Sequence, residues 1–323
     1  MAKVLVTGAL GFIGSHLCEG LVKEGYEVIG IDNLFGGSWD NAVEGVTYFE
    51  QDITDTEGID KLFKDFEFAI VYHLAAYAAE GLSPFIRKFN YENNVIGSIN
   101  LINASVNNKV NHFLFTSSMA VYGEQDMYES NQCLPIDPYG IAKLAVEQDL
   151  KAAHDEFNLH YTIFRPHNVY GERQNLSDKY RNVVGIFMRN KLEGEPAPIF
   201  GDGNQIRSFT YVKDIVPVMI EALTDTYLWD DTFNIGSDKP YSINELVDLL
   251  HMDKKYIGAR REVKHTNPNH SHIRSIVGKI KETPLEEGLA KMWAWVQGLK
   301  DIQKPEEFKH IEITKNLPEA WEK

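Results

Sequence analysis

Only two of the 323 residues are cysteine, Cys18 and Cys133, and they lie far apart in unlike surroundings. That excludes a disulfide framework and a cysteine metal centre, and it fits a reducing cytosol. Basic residues are also scarce: 32 Lys and Arg stand against 47 Asp and Glu, a formal charge of −15. Such a surplus of acid argues against binding nucleic acid or a membrane surface, because phosphate backbones demand basic patches. No apolar run approaches the roughly 20 residues of a membrane span. The start, Met1-Ala2-Lys3-Val4-Leu5-Val6, enters a strand pattern at once, which speaks against a signal peptide. Internal repeats, low-complexity tracts and flexible linkers are missing too. What is present is ordinary. With 43% hydrophobic and 24% charged residues, this is the composition of a globular cytoplasmic protein holding one large α/β domain, or a domain and a smaller companion.

Apolar, β-branched runs at 3–7, 26–31, 46–49, 68–74, 112–116 and 161–165 alternate with helix-spaced segments. Residues 12 to about 24 carry Ile13, Leu17, Leu21 and Val22 on one side. Residues 90–107 carry Val95, Ile99, Ile102 and Val106 as a stripe, and 138–157 read as another helix. Strands alternating with helices predict a doubly wound parallel sheet covered on both faces. Past Arg165-Pro166 the texture changes. A polar loop at 171–180 and a turn cluster at 193–198 precede shorter elements at 206–211, 214–223, 232–235 and 243–250. A last helix follows Thr283, with Thr283 as N-cap, Pro284 in the first turn and Glu286 in the capping-box position.

Gly8-Ala9-Leu10-Gly11-Phe12-Ile13-Gly14 sits between the first strand and the first helix. Glycines there allow a tight turn, bring backbone amides against a pyrophosphate and let helix and strand pack closely. Asp32 ends the second strand, where a carboxylate accepts hydrogen bonds from an adenosine ribose. No Arg or Lys follows it before Asp40, so a ribose phosphate would meet an uncompensated negative group. The expected cofactor is therefore NAD rather than NADP. The expected architecture is α/β: a doubly wound parallel-sheet Rossmann domain over 1–170, with return segments near 205–250. A smaller C-terminal α/β lobe over 171–323 would hold the substrate.

Tyr139-Gly140-Ile141-Ala142-Lys143 opens the helix that follows Ser117-Ser118 and Tyr122-Gly123. Tyr and Lys at i and i+4 share a helical face, so the ammonium can lie near the phenol. A nearby cation, together with an oxidised nicotinamide, lowers the phenol pKa. Such a phenol can take a proton from a sugar hydroxyl as hydride leaves the same carbon.

With these pieces in place, the chain resembles the extended short-chain dehydrogenase/reductase family, specifically its nucleotide-sugar epimerases and dehydratases, over nearly its whole length. The resemblance rests on Gly8-x-x-Gly11-x-x-Gly14, Asp32, Asp52-Ile53, His73-Leu74-Ala75-Ala76, Asn93-Asn94, Ser117-Ser118, Tyr139-x-x-x-Lys143 and Arg165-Pro166-His167-Asn168-Val169-Tyr170-Gly171. It implies Ser118, Tyr139 and Lys143 as catalytic residues. It implies contacts to the cofactor from Gly8, Gly11, Phe12, Ile13, Gly14, Asp32, Asn33, Asp52, Ile53, Leu74, Ala75, Ala76, Asn94 and Ser117, with Tyr139 and Lys143. For a nucleotide-diphospho-sugar, most simply a UDP-sugar, it implies Ser118, Met119, Tyr139, Asn168, Val184, Phe200, Arg207 and Arg261. Arg207 and Arg261 would hold the diphosphate, a task suited to the guanidinium fork. The family also implies a homodimer built on the two helices over 90–107 and 138–157.

Within the family the residues after Ser118 separate reactions. Dehydratases carry Asp-Glu there, and decarboxylases keep a Glu. This chain carries Met119-Ala120, which cannot do general acid–base work. That favours NAD-dependent 4-epimerisation through a transient 4-keto sugar. The alternative is a dehydratase of unusual regiochemistry drawing an acid from elsewhere, with Glu80 or Cys133 as candidates. A third reading, a non-catalytic NAD sensor, fits poorly with Ser118, Tyr139 and Lys143 all being present. His270-x-His272 lacks a third ligand at suitable spacing, so no metal is expected. The basic residues Arg173, Lys179, Arg181, Arg189 and Lys191 read either as an attractor for an anionic substrate or as a solvated face.

Overall fold

In the computed structural model, the residues described are 2–260, 262–266, 268–299, 308–309 and 311–321. Seven parallel strands form one sheet. In chain order they are β1 (Lys3–Thr7), β2 (Glu27–Asp32), β3 (Val46–Glu50), β4 (Phe68–His73), β5 (His112–Thr116), β6 (His160–Pro166) and, after several intervening segments, a strand at Asp231–Ile235. The spatial order runs β3, β2, β1, β4, β5, β6 and then that last strand. The chain winds outward one way from β1 and then crosses to β4 and winds the other way. The crevice at the carboxyl ends of β1 and β4 is therefore the switch point at which such sheets bind ligands.

Strand residues alternate between two cores. Val4 and Val6 face α1 (Phe12–Lys23), whereas Leu5 faces α2 (Thr56–Asp65) and the helices beyond it. The helical run after β4 comprises α3 (Arg87–Tyr91), a π-helical stretch over Glu92–Ile96, and α4 (Gly97–Asn107). That wider turn shifts the buried face: Asn94, Ser98, Leu101, Ile102 and Ser105 are buried, while Val95 and Ile99 stay half-exposed. The expected stripe through Val95 and Ile99 is thus displaced. Helix α5 (Pro138–Phe157) has the expected extent. Asp137 Oδ1 caps it by accepting from Gly140 N at 2.9 Å, Pro138 is pre-set for its first turn, and Asn158 ends it at φ +56°.

The remaining elements make a smaller lobe and return to the sheet. They are β7 (Val169–Tyr170), α6 (Val183–Glu193), β8 (Ala197–Phe200), β9 (Ile206–Ser208), β10 (Thr210–Tyr211) and α7 (Val212–Glu221). Then come β11 (Asp231–Ile235), β12 (Pro240–Ser242), α8 (Ile243–Leu249), β13 (Lys254–Ile257), β14 (His265–Thr266), α9 (Ser271–Val277) and α10 (Leu285–Gly298). Helix α7 packs on α1 and β11 extends the main sheet, so residues 212–235 rejoin the first half. Helices α6, α8 and α10 enclose a core of their own. The strand expected over 206–211 breaks at Phe209 into β9 and β10, because β9 pairs with β12 and β14 while β10 pairs with β7. Thr283 does not cap α10. Its Oγ1 donates to Asp214 Oδ1 at 2.8 Å and its N–H to Asp214 Oδ2 at 2.6 Å, leaving Pro284 at the N-cap.

Candidate active site

A cavity of about 1550 Å³ opens at the switch point and continues between the sheet and the lobe. At one end it is lined by Gly8, Gly11, Phe12, Ile13 and Gly14. Gly8 adopts φ +69°, and a Cβ on Gly14 would stand 2.1 Å from the Gly8 carbonyl oxygen, so α1 meets β1 more closely than any side chain permits. No side chain caps α1 at Gly11, which leaves the helix N-terminus facing the cavity with its amides available to an anion. Asp32, buried at the end of β2, accepts from Leu10 N at 3.1 Å and Leu34 N at 2.9 Å. Burial raises its pKa against those two donors, which fits a carboxylate kept for a further donor.

The neighbours of this end divide into lining and bracing residues. Asn33, Ile53, Leu74, Ala75 and Ala76 line the cavity. Asp52 instead braces Asn33, accepting from its Nδ2 at 2.8 Å. Asn94 also stands behind the wall. It clamps the loop after β4 by accepting from Tyr77 N at 2.9 Å and donating to Tyr77 O at 3.1 Å, while Asn93 takes the lining position.

Midway along, Ser117, Ser118, Met119, Tyr139 and Lys143 come together. Ser118 hydrogen-bonds Tyr139. Its Oγ accepts from Ala120 N at 3.2 Å, which leaves its single proton for the tyrosine oxygen or a substrate oxygen. Lys143 Nζ donates to Thr116 O at 2.9 Å and lies 5.9 Å from the Tyr139 ring centroid. The ammonium is near the phenol, as expected, but does not touch the ring. Burial pushes Tyr139 well above its ordinary pKa, with Glu80 and Asp137 adding to the rise and the Ser118 hydrogen bond opposing it. Burial also draws Lys143 down to about 7, against the pull of Glu147. The chain by itself therefore holds a protonated phenol, and ionising it requires positive charge delivered beside it.

Below these residues lies a network that spacing alone did not reveal. Ser117 Oγ donates to Glu147 Oε1 at 2.5 Å, and Arg165 grips Glu147 through Nε at 2.9 Å and Nη2 at 2.5 Å. Arg165 Nη1 donates to Tyr122 Oη at 2.8 Å. Both charged groups are buried, so the paired geometry fixes the floor under Ser117 and the Lys143 turn of α5. The available signal was that Glu147 follows Lys143 by one helical turn.

The far end is charged. Arg207, on β9, donates from Nη2 to Glu262 Oε2 at 3.1 Å, and Arg260 lies 3.5 Å from the same oxygen. The Arg260 guanidinium stacks on Phe200 with its carbon 4.4 Å from the ring centroid. Asn168, at φ +38°, lines this end and donates to Ser208 O at 3.1 Å. Val184 does not line it. Asn182 caps α6, so Val183 faces the cavity and Val184 turns into the lobe core. Arg261 lies outside the described residues, and Arg260 is the neighbouring arginine seen on the cavity. Glu80 lines the cavity, whereas Cys133 packs beside Met119 and Tyr122 and burial raises its thiol pKa.

Of the scattered basic residues, Arg173 pairs with Glu19, Arg189 with Glu193, and Lys191 with Leu250 O. Arg181 alone among the five lines the cavity. It forms an ion pair with Asp178 at 2.7 Å, stacks on Tyr77 with its guanidinium carbon 4.4 Å from the ring centroid, and presses against Gly36 near Asp32. The chain neighbours of Asp32 carry no positive charge, but the fold brings Arg181 close enough to act on its carboxylate. His270 is buried and bonded to His167 and Asp238, with Nε2–Nε2 at 3.0 Å and Nδ1–Oδ1 at 2.6 Å, so it does not pair with His272.

This geometry has relatives. The sequence profile of the NAD-dependent epimerase/dehydratase family matches residues 4–236. The solved structure of a UDP-glucose 4-epimerase with UDP-glucose from Thermotoga maritima is 34% identical, with a TM-score of 0.85, covering 92% of this chain and 99% of that one. A UDP-glucuronic acid 4-epimerase from Bacillus cereus, solved with UDP-glucuronic acid and NAD, is 30% identical with a TM-score of 0.84, covering 92% and 99%. A UDP-glucose 4-epimerase from Mycolicibacterium smegmatis is 30% identical over 90% of this chain and 96% of its own length.

Proposed function

The chain belongs to the NAD-dependent epimerase/dehydratase family, and from that premise we infer that it is an NAD-dependent 4-epimerase of a UDP-hexose. The observation that carries this reading is the meeting of Ser118 and Tyr139 above Lys143, beside the glycine cradle. The positions after Ser118 are filled there by buried, non-ionisable Met119 and Ala120. The uncapped α1 N-terminus and Asp32 suit NAD, held by Gly8–Gly14, Asp32, Asn33, Ile53 and Ala75–Ala76. NAD bound there would supply the hydride acceptor and donor, and its oxidised form would supply the positive charge that Tyr139 needs to ionise.

The chain's own groups manage the proton. Ser118 donates to the reacting hydroxyl oxygen, Tyr139 Oη takes the proton as the 4-keto sugar forms, and the same atom returns it on reduction. Arg207 and Arg260 bind the diphosphate, exchanging Glu262 for it, and so hold one end of the substrate while the keto sugar turns. Residues 1–170 with the return over 212–235 form the cofactor-binding unit, and the rest mainly the substrate lobe. The outward face beside α5, with Ile96 and Ile141 exposed, suits the homodimer the family implies. Among the described residues no helix is long and apolar enough to cross a membrane. A cytoplasmic location matches the composition.

The test is incubation with UDP-sugars in heavy water, followed by mass spectrometry and proton NMR. An isomer of unchanged mass without solvent deuterium is expected. A product lighter by one water, or deuterium beside a ketone, would replace this reading with dehydration or chemistry at C3 or C5.

A further inference from the structure

We propose that Glu80 sets which sugar the site accepts: its carboxyl takes hydrogen bonds from a neutral hexose and turns away a hexuronate. The proposal rests on the UDP-sugar reading above and sharpens it. Relatives of similar identity are named for UDP-glucose and for UDP-glucuronic acid, so membership of the family leaves the choice open.

Glu80 is built into the wall between the reacting end and the phosphate end. Ser83 N and Oγ donate to the Glu80 carbonyl at 3.2 and 2.8 Å, and the same Oγ accepts from Tyr139 N at 3.2 Å. The segment carrying Glu80 is thereby tied to the first turn of α5. On its other side, a Cβ on Gly81 would stand 3.1 Å from Arg260 Nη1, so the phosphate-end guanidinium lies against the next residue. A pyranose held at C4 by Tyr139 and joined through C1 to a diphosphate on Arg207 and Arg260 must cross Glu80.

The carboxyl makes no hydrogen bond or ion pair with any described residue. A carboxyl left so inside a cavity is costly, and sugar hydroxyls relieve that cost. The charged groups facing it are Asp137, at the start of the α5 segment, Arg207 on β9, and Arg260 and Glu262 in the segment between β13 and β14. Its charge is also felt at Tyr139. Burial, with Asp137 next, raises its pKa to about 7, so both forms are present near neutrality. Either form accepts from a hydroxyl. Only the ionised form repels a second carboxylate, and the two arginines that would screen that repulsion are engaged by the diphosphate once substrate is bound.

The experiment compares kcat/KM for UDP-glucose and UDP-glucuronic acid in the NAD-loaded protein and its Glu80→Gln variant, on both sides of pH 7. The unaltered protein is expected to use the two sugars within ~10-fold below pH 7 and to prefer UDP-glucose by ~100-fold near pH 9, since each pH unit above about 7 leaves ten times less of the protonated form that tolerates a second carboxylate. Glu80→Gln is expected to narrow the preference to within ~10-fold and to remove its pH dependence, with NAD content unchanged. Equal use of the two sugars by the unaltered protein near pH 9 overturns the proposal even if the variant fails to fold. A folded variant with the original preference overturns it too. If neither sugar is epimerised, the 4-epimerase reading fails separately. The same ratio is then read from equilibrium dissociation constants, where equal affinities defeat the role of Glu80.

Discussion

The two ends of the cavity are made of different material. The cofactor end is backbone: Gly8, Gly11 and Gly14, the uncapped start of α1, and carbonyl and amide groups beside Ala75, with Asp32 as its main charge. The substrate end is charged side chain: Glu80, Arg207, Arg260 and Glu262, from three stretches of chain far apart in sequence. A backbone site is damaged by adding atoms, and a side-chain site by removing charge. The middle, where Tyr139 stands, depends on both.

The largest expected effect therefore lies at the join. Tyr139→Phe should lower kcat by ~10²–10⁴-fold while bound NAD, measured by release on denaturation, stays as before. Retained turnover would remove Tyr139 from the mechanism.

Gly14→Ala tests the backbone end. Its new Cβ would fall 2.1 Å from Gly8 O, so the turn must open. Copurified NAD should drop sharply, and stability should fall by ~1–3 kcal/mol in a denaturant titration. Arg207→Ala is its counterpart at the charged end. KM for the UDP-sugar should rise ~10–100-fold, the loss of charge-assisted hydrogen bonds, with NAD content unchanged. If Arg207→Ala released NAD, or Gly14→Ala spared it, the two ends would not be separately built.

The smallest effect concerns a stitch between the halves, in which Arg173 reaches Glu19 of α1 at 2.7 Å. The hydrogen bond from Lys23, with help from Arg173, holds the Glu19 pKa down to about 2 from 4.5. A depressed carboxylate pKa adds stability that is complete above 4.5 and lost as pH falls through about 2. The pair is partly exposed, so Glu19→Gln should cost under ~1 kcal/mol near neutrality. That difference should vanish in urea titrations carried below the carboxylate range.

These contrasts explain what could be read from the chain and what could not. Helix α5 was legible end to end because Asp137, Pro138 and Asn158 act on their immediate neighbours. Thr283 carried an equally good capping pattern, yet Asp214, 69 residues away, takes its hydroxyl and amide. Val184 was misplaced by one position because the Asn182 cap sets which side of the first α6 turn faces inward. The stripe through Val95 moved for a similar reason, since a π-helical stretch adds a residue to the turn. Arg181 and Glu147 were missed, or left ambiguous, because the groups they meet across the fold, Tyr77 and Gly36 for the one and Ser117 and Arg165 for the other, stand on other segments.

By itself, the sequence determined the alternating strands and helices, the glycine turn, the carboxylate ending β2 and the Tyr139–Lys143 face. All of these follow from hydrogen bonds and side-chain periods spanning a few residues. Only the tertiary structure decided that Arg207 and Arg260 share Glu262, that Arg165 and Glu147 underlie the serine pair, and that Glu80 stands between tyrosine and arginine. Those are long-range electrostatic choices, and a charge's effect depends on its distance and on what excludes water around it. Folding decides both.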